Sequence, residues 1–254
     1  MSRTTAAEIQ ENPAKKFLKW KTIKKTTIID GEEVETMKGG AFEWYNKETE
    51  EKVDVKLPFK FAILNLDLTT FKGYDEKNKQ GVWSNEVRDQ NHVVNFRNKE
   101  GKILSFKLSE YKLNKDTLTA RGGKYTKSVY IAVENEGNWE VQNIQLSGAA
   151  LTGAINMEAK DPDEANDGWF SFTKNNKSKL YSNFVEVKTF KAKKKGTSKF
   201  TIPVYSLGEE IDEATSQKLN ELDGQLTEFL DYYFAKSPVE TEEKAEITAY
   251  STDY

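Results

Sequence analysis

The sequence predicts a mainly β fold: a five-stranded Greek-key barrel with insertions, one short internal helix and a C-terminal amphipathic helix. Three observations predict it. From residue 41 to 205, apolar and polar residues alternate in short runs rich in β-branched and aromatic types. Gly, Asn and Asp clusters break those runs, as in Asn98-Lys99-Glu100-Gly101 and Asn135-Glu136-Gly137-Asn138, which read as hairpin loops. A three- and four-residue apolar spacing is sustained only near the C-terminus.

Taken in order, residues 1–12 are polar and lack an apolar stretch of signal-peptide length, so no secretion signal is expected. Residues 1–40 read as a basic N-terminal segment, in which Lys15, Lys16, Phe17, Leu18, Lys19, Trp20 and Lys21 lead through Lys24 and Lys25 to an Asp30-Gly31 turn. The β-rich core is expected over 41–206, with strands at 41–45, 53–57, 59–68, 92–97, 103–108, 125–134, 139–146, 184–191 and 200–206. Small and apolar residues between Ser147 and Ala159, among them Ala149, Ala150, Leu151, Ala154, Ile155 and Met157, predict a short helix capped by Ser147, followed by a polar loop at 161–168. Within 207–237, Leu219, Leu222, Leu226, Phe229, Leu230 and Tyr233 lay one apolar stripe along a helix. Ser237-Pro238 stops it, because proline disfavours the α conformation in the residue before it. Residues 238–254 are acidic and poor in apolar residues, the composition of a disordered tail.

Composition narrows the function classes. The chain has 254 residues, enough for one all-β domain with a sizeable core. Without cysteine there is no disulfide, thiolate zinc site or cysteine nucleophile. The net charge of −3 conceals an asymmetry: residues 206–254 carry 3 Lys against 13 Asp or Glu, which leaves 35 basic and 28 acidic residues in the body. A body of +7 joined to an end of −10 points to a polyanionic partner and an acidic segment that competes with it.

Catalytic constellations are scarce, and no enzyme, cofactor or metal is expected. His92 is the only histidine, and no Gly-x-Ser-x-Gly elbow accompanies it. Gly39-Gly40, Gly122-Gly123 and Gly148 match no phosphate-loop or dinucleotide fingerprint. Glu186-Val187-Lys188, with Asp161 or Asp167 upstream, loosely matches the acidic-x-Lys core of metal-dependent nucleases, in which carboxylates hold Mg²⁺. A charged strand surface produces the same triplet freely, so a nuclease ranks third among the readings.

Lysines with interleaved rings recur at 15–25, 174–181 and 188–200. Lysine neutralises phosphate and rings stack on unpaired bases without regard to sequence, the combination that single strands require. The candidate contacts are Lys15, Lys16, Lys19, Trp20, Lys21, Trp44, Tyr45, Tyr74, Trp83, Lys124, Lys188, Lys191, Lys193, Lys194 and Lys195. A carbohydrate-binding or structural β-sandwich using Trp20, Trp44 or Trp83 is the alternative.

The lysine-aromatic body and the acidic end, with Glu240, Glu242, Glu243, Glu246 and the terminal Asp253-Tyr254, resemble the single-stranded DNA-binding proteins of tailed bacteriophages. Residues 12–17, 57–61, 83–87 and 122–130 look like segments of phage replication proteins of this kind. The resemblance implies an oligonucleotide-binding barrel that coats single-stranded DNA in the host cytoplasm. Its tail would recruit polymerase, helicase or primase, and a homodimer is among the expected assemblies. Lys244 and interspersed Thr, Ser and Ala make this tail less acidic than the family pattern.

Overall fold

The computed structural model describes residues 10–29, 32–46, 48–153 and 168–235. A long hairpin of β1 (Lys16–Ile29) and β2 (Glu32–Asn46) opens the chain, followed by β3 (Lys52–Val55), β4 (Phe59–Asp75), β5 (Gln80–Ser84), β6 (Val93–Asn98) and β7 (Gly101–Lys107). Then come α1 (Tyr111–Ala120), β8 (Gly123–Asn135), β9 (Asn138–Ser147), α2 (Gly148–Thr152) and α3 (Trp169–Asn175). A second long hairpin, β10 (Asn183–Lys195) with β11 (Ser198–Glu210), leads into α4 (Glu213–Ala235).

The strands form one mixed sheet in the order β3-β2-β1-β9-β8-β4-β5-β6-β7, antiparallel except where β1 lies parallel to β9. Off this path, β10 pairs with the start of β4, Val185 opposite Phe61, and with β11 along its length. Fold class is therefore mainly β, as expected, but the strands form an open mixed sheet where a five-stranded Greek-key barrel with insertions was anticipated. Side chains explain the gap. The Trp20 indole N–H donates to the Thr201 carbonyl at 3.0 Å, and the Thr201 N–H donates to Thr22 Oγ1 at 2.9 Å. These groups stand between β1 and β11, where a backbone ladder needs a strand spacing of about 4.8 Å. Gly40 belongs to this seam, since a Cβ there would lie 2.4 Å from the Trp20 ring.

The sheet buries both faces along β8. Val129 and Ile131 join Leu18, Phe42, Phe61, Ile144 and Trp169 in a core enclosed by the curled sheet, the β10–β11 hairpin and helices α2 and α3. Tyr130, on the opposite face, packs with Leu68, Val141, Leu226, Phe229 and Leu230 beneath α4. A third cluster, Phe71, Val94, Phe96, Phe106 and Leu118, fills the space between β4–β7 and α1. Asp212 caps α4 by accepting the Thr215 N–H at 2.7 Å.

Two expectations need correction. The segment before residue 41 is not a separate basic arm: it supplies β1 and most of β2, with Leu18 buried and Lys19 and Lys21 on the opposite face. Lysine density hid an ordinary period-two strand. Ser147 does occupy the N-cap position of α2, but its side chain makes no capping bond, and α2 ends at Gly153 with φ 77°. The expected continuation to residue 159 lies outside the described residues.

Candidate nucleic-acid interface

Strand register assembles one outer sheet face from distant parts of the sequence. Residues directly opposite in paired strands share a face, and alternate residues along a strand return to it. Phe17 lies opposite Tyr45 and beside Asn143, while Lys19 lies opposite Glu43 and beside Gln145. Asn143 faces Tyr130, whose strand brings Lys124 to the same face, opposite Lys72 on β4. Lys72 in turn faces Trp83, and Tyr74 follows two residues later. The outer face thus collects Phe17, Lys19, Lys21, Tyr45, Lys72, Tyr74, Trp83 and Lys124. The Lys72 ammonium lies 6.0 Å from the centre of the Phe17 ring, a contact made across this surface. Of these rings, Trp83 is buried and Phe17, Tyr45 and Tyr74 are half-buried. Helix α4 covers the part of the face around Tyr130 and leaves the Lys124 side open. At the boundary, Glu86 accepts hydrogen bonds from the Ser128 and Tyr130 hydroxyls, and its N–H donates to the Tyr233 hydroxyl at 2.9 Å.

Several of these cations are already neutralised. Lys21 lies 2.6 Å from both Glu43 and Asp54, and Lys19 lies 3.2 Å from Glu43. Burial pushes the Glu43 carboxyl up, but hydrogen bonds and charge from Lys21 and Lys19 outweigh it and hold the group below its ordinary value. Lys15, just before β1, pairs with Glu11 at 3.0 Å and Glu48 at 3.1 Å, and these hydrogen bonds raise its pKa. Lys124 is exposed and makes no ion pair among the described residues.

The β10–β11 hairpin holds the densest cationic group. Lys188 sits 2.5 Å from Glu186, and Lys191, Lys193, Lys194 and Lys199 follow along the two strands. The hairpin leans on the β1–β2 arm, which adds Lys24, Lys25 and Lys38: a Cβ on Gly39 would lie 3.7 Å from the Phe190 ring. Lys24 is paired with Glu35 at 2.7 Å.

Other candidates fall elsewhere. Lys16, Trp20 and Trp44 lie on the inner face: Trp20 stands edge-on to Phe42, and the Lys16 ammonium lies 5.2 Å over Trp44 and 2.7 Å from Glu140. The side chain of Lys195, the nuclease candidates Asp161 and Asp167, and Glu240, Glu242, Glu243, Glu246, Asp253 and Tyr254 lie outside the described residues. Among the described residues no cluster of three His, Asp or Glu is placed to hold a metal ion. His92 fastens α4 instead, its ring stacked 5.2 Å from Phe234 and its Nε2 2.9 Å from Asp89. Phe17 and Lys72 were missed as site residues. The alternation Thr70, Lys72, Tyr74 marks the outer face of β4, but only register shows that Phe17 joins it.

Comparison with known protein families, curated proteins and solved structures finds no match.

Proposed function

We propose that the chain is a non-enzymatic single-stranded DNA-binding protein of phage replication or recombination. It coats exposed strands along the outer sheet face and the β10–β11 hairpin, and it recruits polymerase, helicase or primase through residues 238–254. On this reading the curled sheet is an elaborated, unclosed oligonucleotide-binding barrel. The observation that supports it is the outer face itself, where Phe17, Tyr45 and Tyr74 lie among Lys19, Lys21, Lys72 and Lys124 from four strands. Half-buried rings on rigid strands offer stacking faces with little ordering cost, and Lys124, without an ion pair among the described residues, is placed to meet phosphate.

The test is a salt titration of oligo-dT binding for Lys124→Glu on the face and Lys193→Glu on the hairpin. Each lost phosphate contact should lower the log–log salt slope by about 0.7 and weaken binding at low salt. Parental affinity and slope in both variants would overturn the assignment.

A further inference from the structure

Bases stack best on rings that solvent can reach, and the outer face offers only partly covered ones. Among the described residues, two aromatic side chains are largely exposed: Phe170, at 42 %, and Tyr181, at 56 %. Phe170 lies in the first turn of the short helix α3, and Tyr181 follows the turn after it. Trp169 and Phe172 turn inward there, their rings 5.7 Å apart in the main core, which leaves Phe170 pointing out. Lys174 lies four residues on, on the same side of the helix as Phe170. Leu180 then returns to that core, so Lys177, Ser178 and Lys179 form an exposed turn, closed by the Lys179 N–H donating to the Asn176 carbonyl at 2.9 Å. Lys174, Lys177 and Lys179 make no ion pair among the described residues, unlike Lys15, Lys16, Lys19 and Lys21. Partial burial, with the nearby charges of Asp67 and Asp223, raises the Tyr181 phenol.

We infer that α3 and its following turn form a second strand-contact site, where single-stranded nucleic acid stacks bases on Phe170 and Tyr181 and sets its phosphates against Lys174, Lys177 and Lys179. This rests on the binding function proposed above and extends it to a surface built from different elements. Charge decides the occupant: unpaired lysines beside two exposed rings suit a polyanion with free bases, whereas duplex DNA hides its base faces.

The experiment compares the full chain with Phe170→Ala/Tyr181→Ala and with Lys174→Gln/Lys177→Gln/Lys179→Gln. Affinity for a long labelled oligo-dT is read across salt, and ultraviolet cross-links are mapped by mass spectrometry. The ring variant should bind at least tenfold more weakly with an unchanged salt slope, given the worth of a stacked base. The lysine variant should lose about two units of slope. Cross-links should appear at Phe170 or Tyr181. If the parent binds and Lys124→Glu weakens it, but both α3 variants match the parent and no cross-link maps there, the second site is wrong while the main interface stands. A parent that binds no oligo-dT overturns both. Parental oligo-dT affinity in both α3 variants combined with loss of a protein contact would assign the patch to a protein partner and overturn the inference.

Discussion

Trp20, on β1, meets two other strands at once, with its ring against Phe42 at 5.1 Å between centroids and its N–H on the Thr201 carbonyl. Trp20→Ala removes both contacts from a partly enclosed site, so it should lower stability by about 3 kcal/mol. For a chain of this size that is a melting shift of roughly 6–12 °C. A melting curve that matches the parent's would place the ring outside the fold's framework. Glu43 gives a pH prediction. Its folded pKa is depressed by Lys21 and Lys19, so it contributes stability that is present above the ordinary carboxylate value of about 4.3 and is lost as pH falls through the folded value. Glu43→Gln lacks that contribution, so the parent's melting advantage over it should shrink below about pH 4. An advantage that persists unchanged at pH 3 would contradict the ion-pair account. At neutral pH and low salt the same variant should bind oligo-dT more tightly, because Lys19 and Lys21 each lose one carboxylate partner and the face loses one negative charge.

At the scale of elements, the seam between the two long hairpins is held by side chains rather than by a ladder. Gly40→Ala puts a Cβ 2.4 Å from the Trp20 ring and 2.5 Å from Thr201 Oγ1, so ring or strand must shift. Overpacking of this kind costs about 1–3 kcal/mol, and amide hydrogen exchange should speed up in both hairpins together. Faster exchange in β1–β2 alone would mean the hairpins are not coupled. Helix α4 was legible from sequence because its signal is local: Leu219, Leu226, Phe229 and Leu230 are all buried at the spacing that predicts them. The hairpin at β1 was not, since five lysines interrupt the alternation of the apolar residues that mark a strand. Helices α1 and α3 escaped for another reason. At 10 and 7 residues they are too short for periodicity to stand out.

At the scale of the whole molecule, the binding face depends on register, which no local pattern encodes. Lys19, Lys21, Tyr45, Tyr74 and Lys124 were identified by residue type and share a face. Trp20 and Trp44 were chosen by the same criterion and turn inward, because alternation alone does not say which side a later element will cover. The charge asymmetry is a global property too. Residues 237–254 carry five acids and one lysine, tethered to a body of +7. A tether gives an effective concentration on the order of millimolar, and screening over about 8 Å at physiological salt keeps the competition modest. Deleting residues 238–254 should leave the melting transition intact and tighten oligo-dT binding at low salt, with the gain shrinking as salt rises. Unchanged or weaker affinity at low salt would reduce the acidic end to a solubility feature. Strand binding itself is best read from labelled DNA, since Trp83 and Trp169 are buried and Trp20, Trp44 and Trp139 are half-buried, which mutes intrinsic fluorescence. The most direct measurement is anisotropy of labelled oligo-dT and of labelled duplex, each titrated with the full chain at two salt concentrations. Tighter binding to oligo-dT that weakens steeply with salt is the predicted result, and equal or tighter binding to duplex, or affinity indifferent to salt, would contradict it.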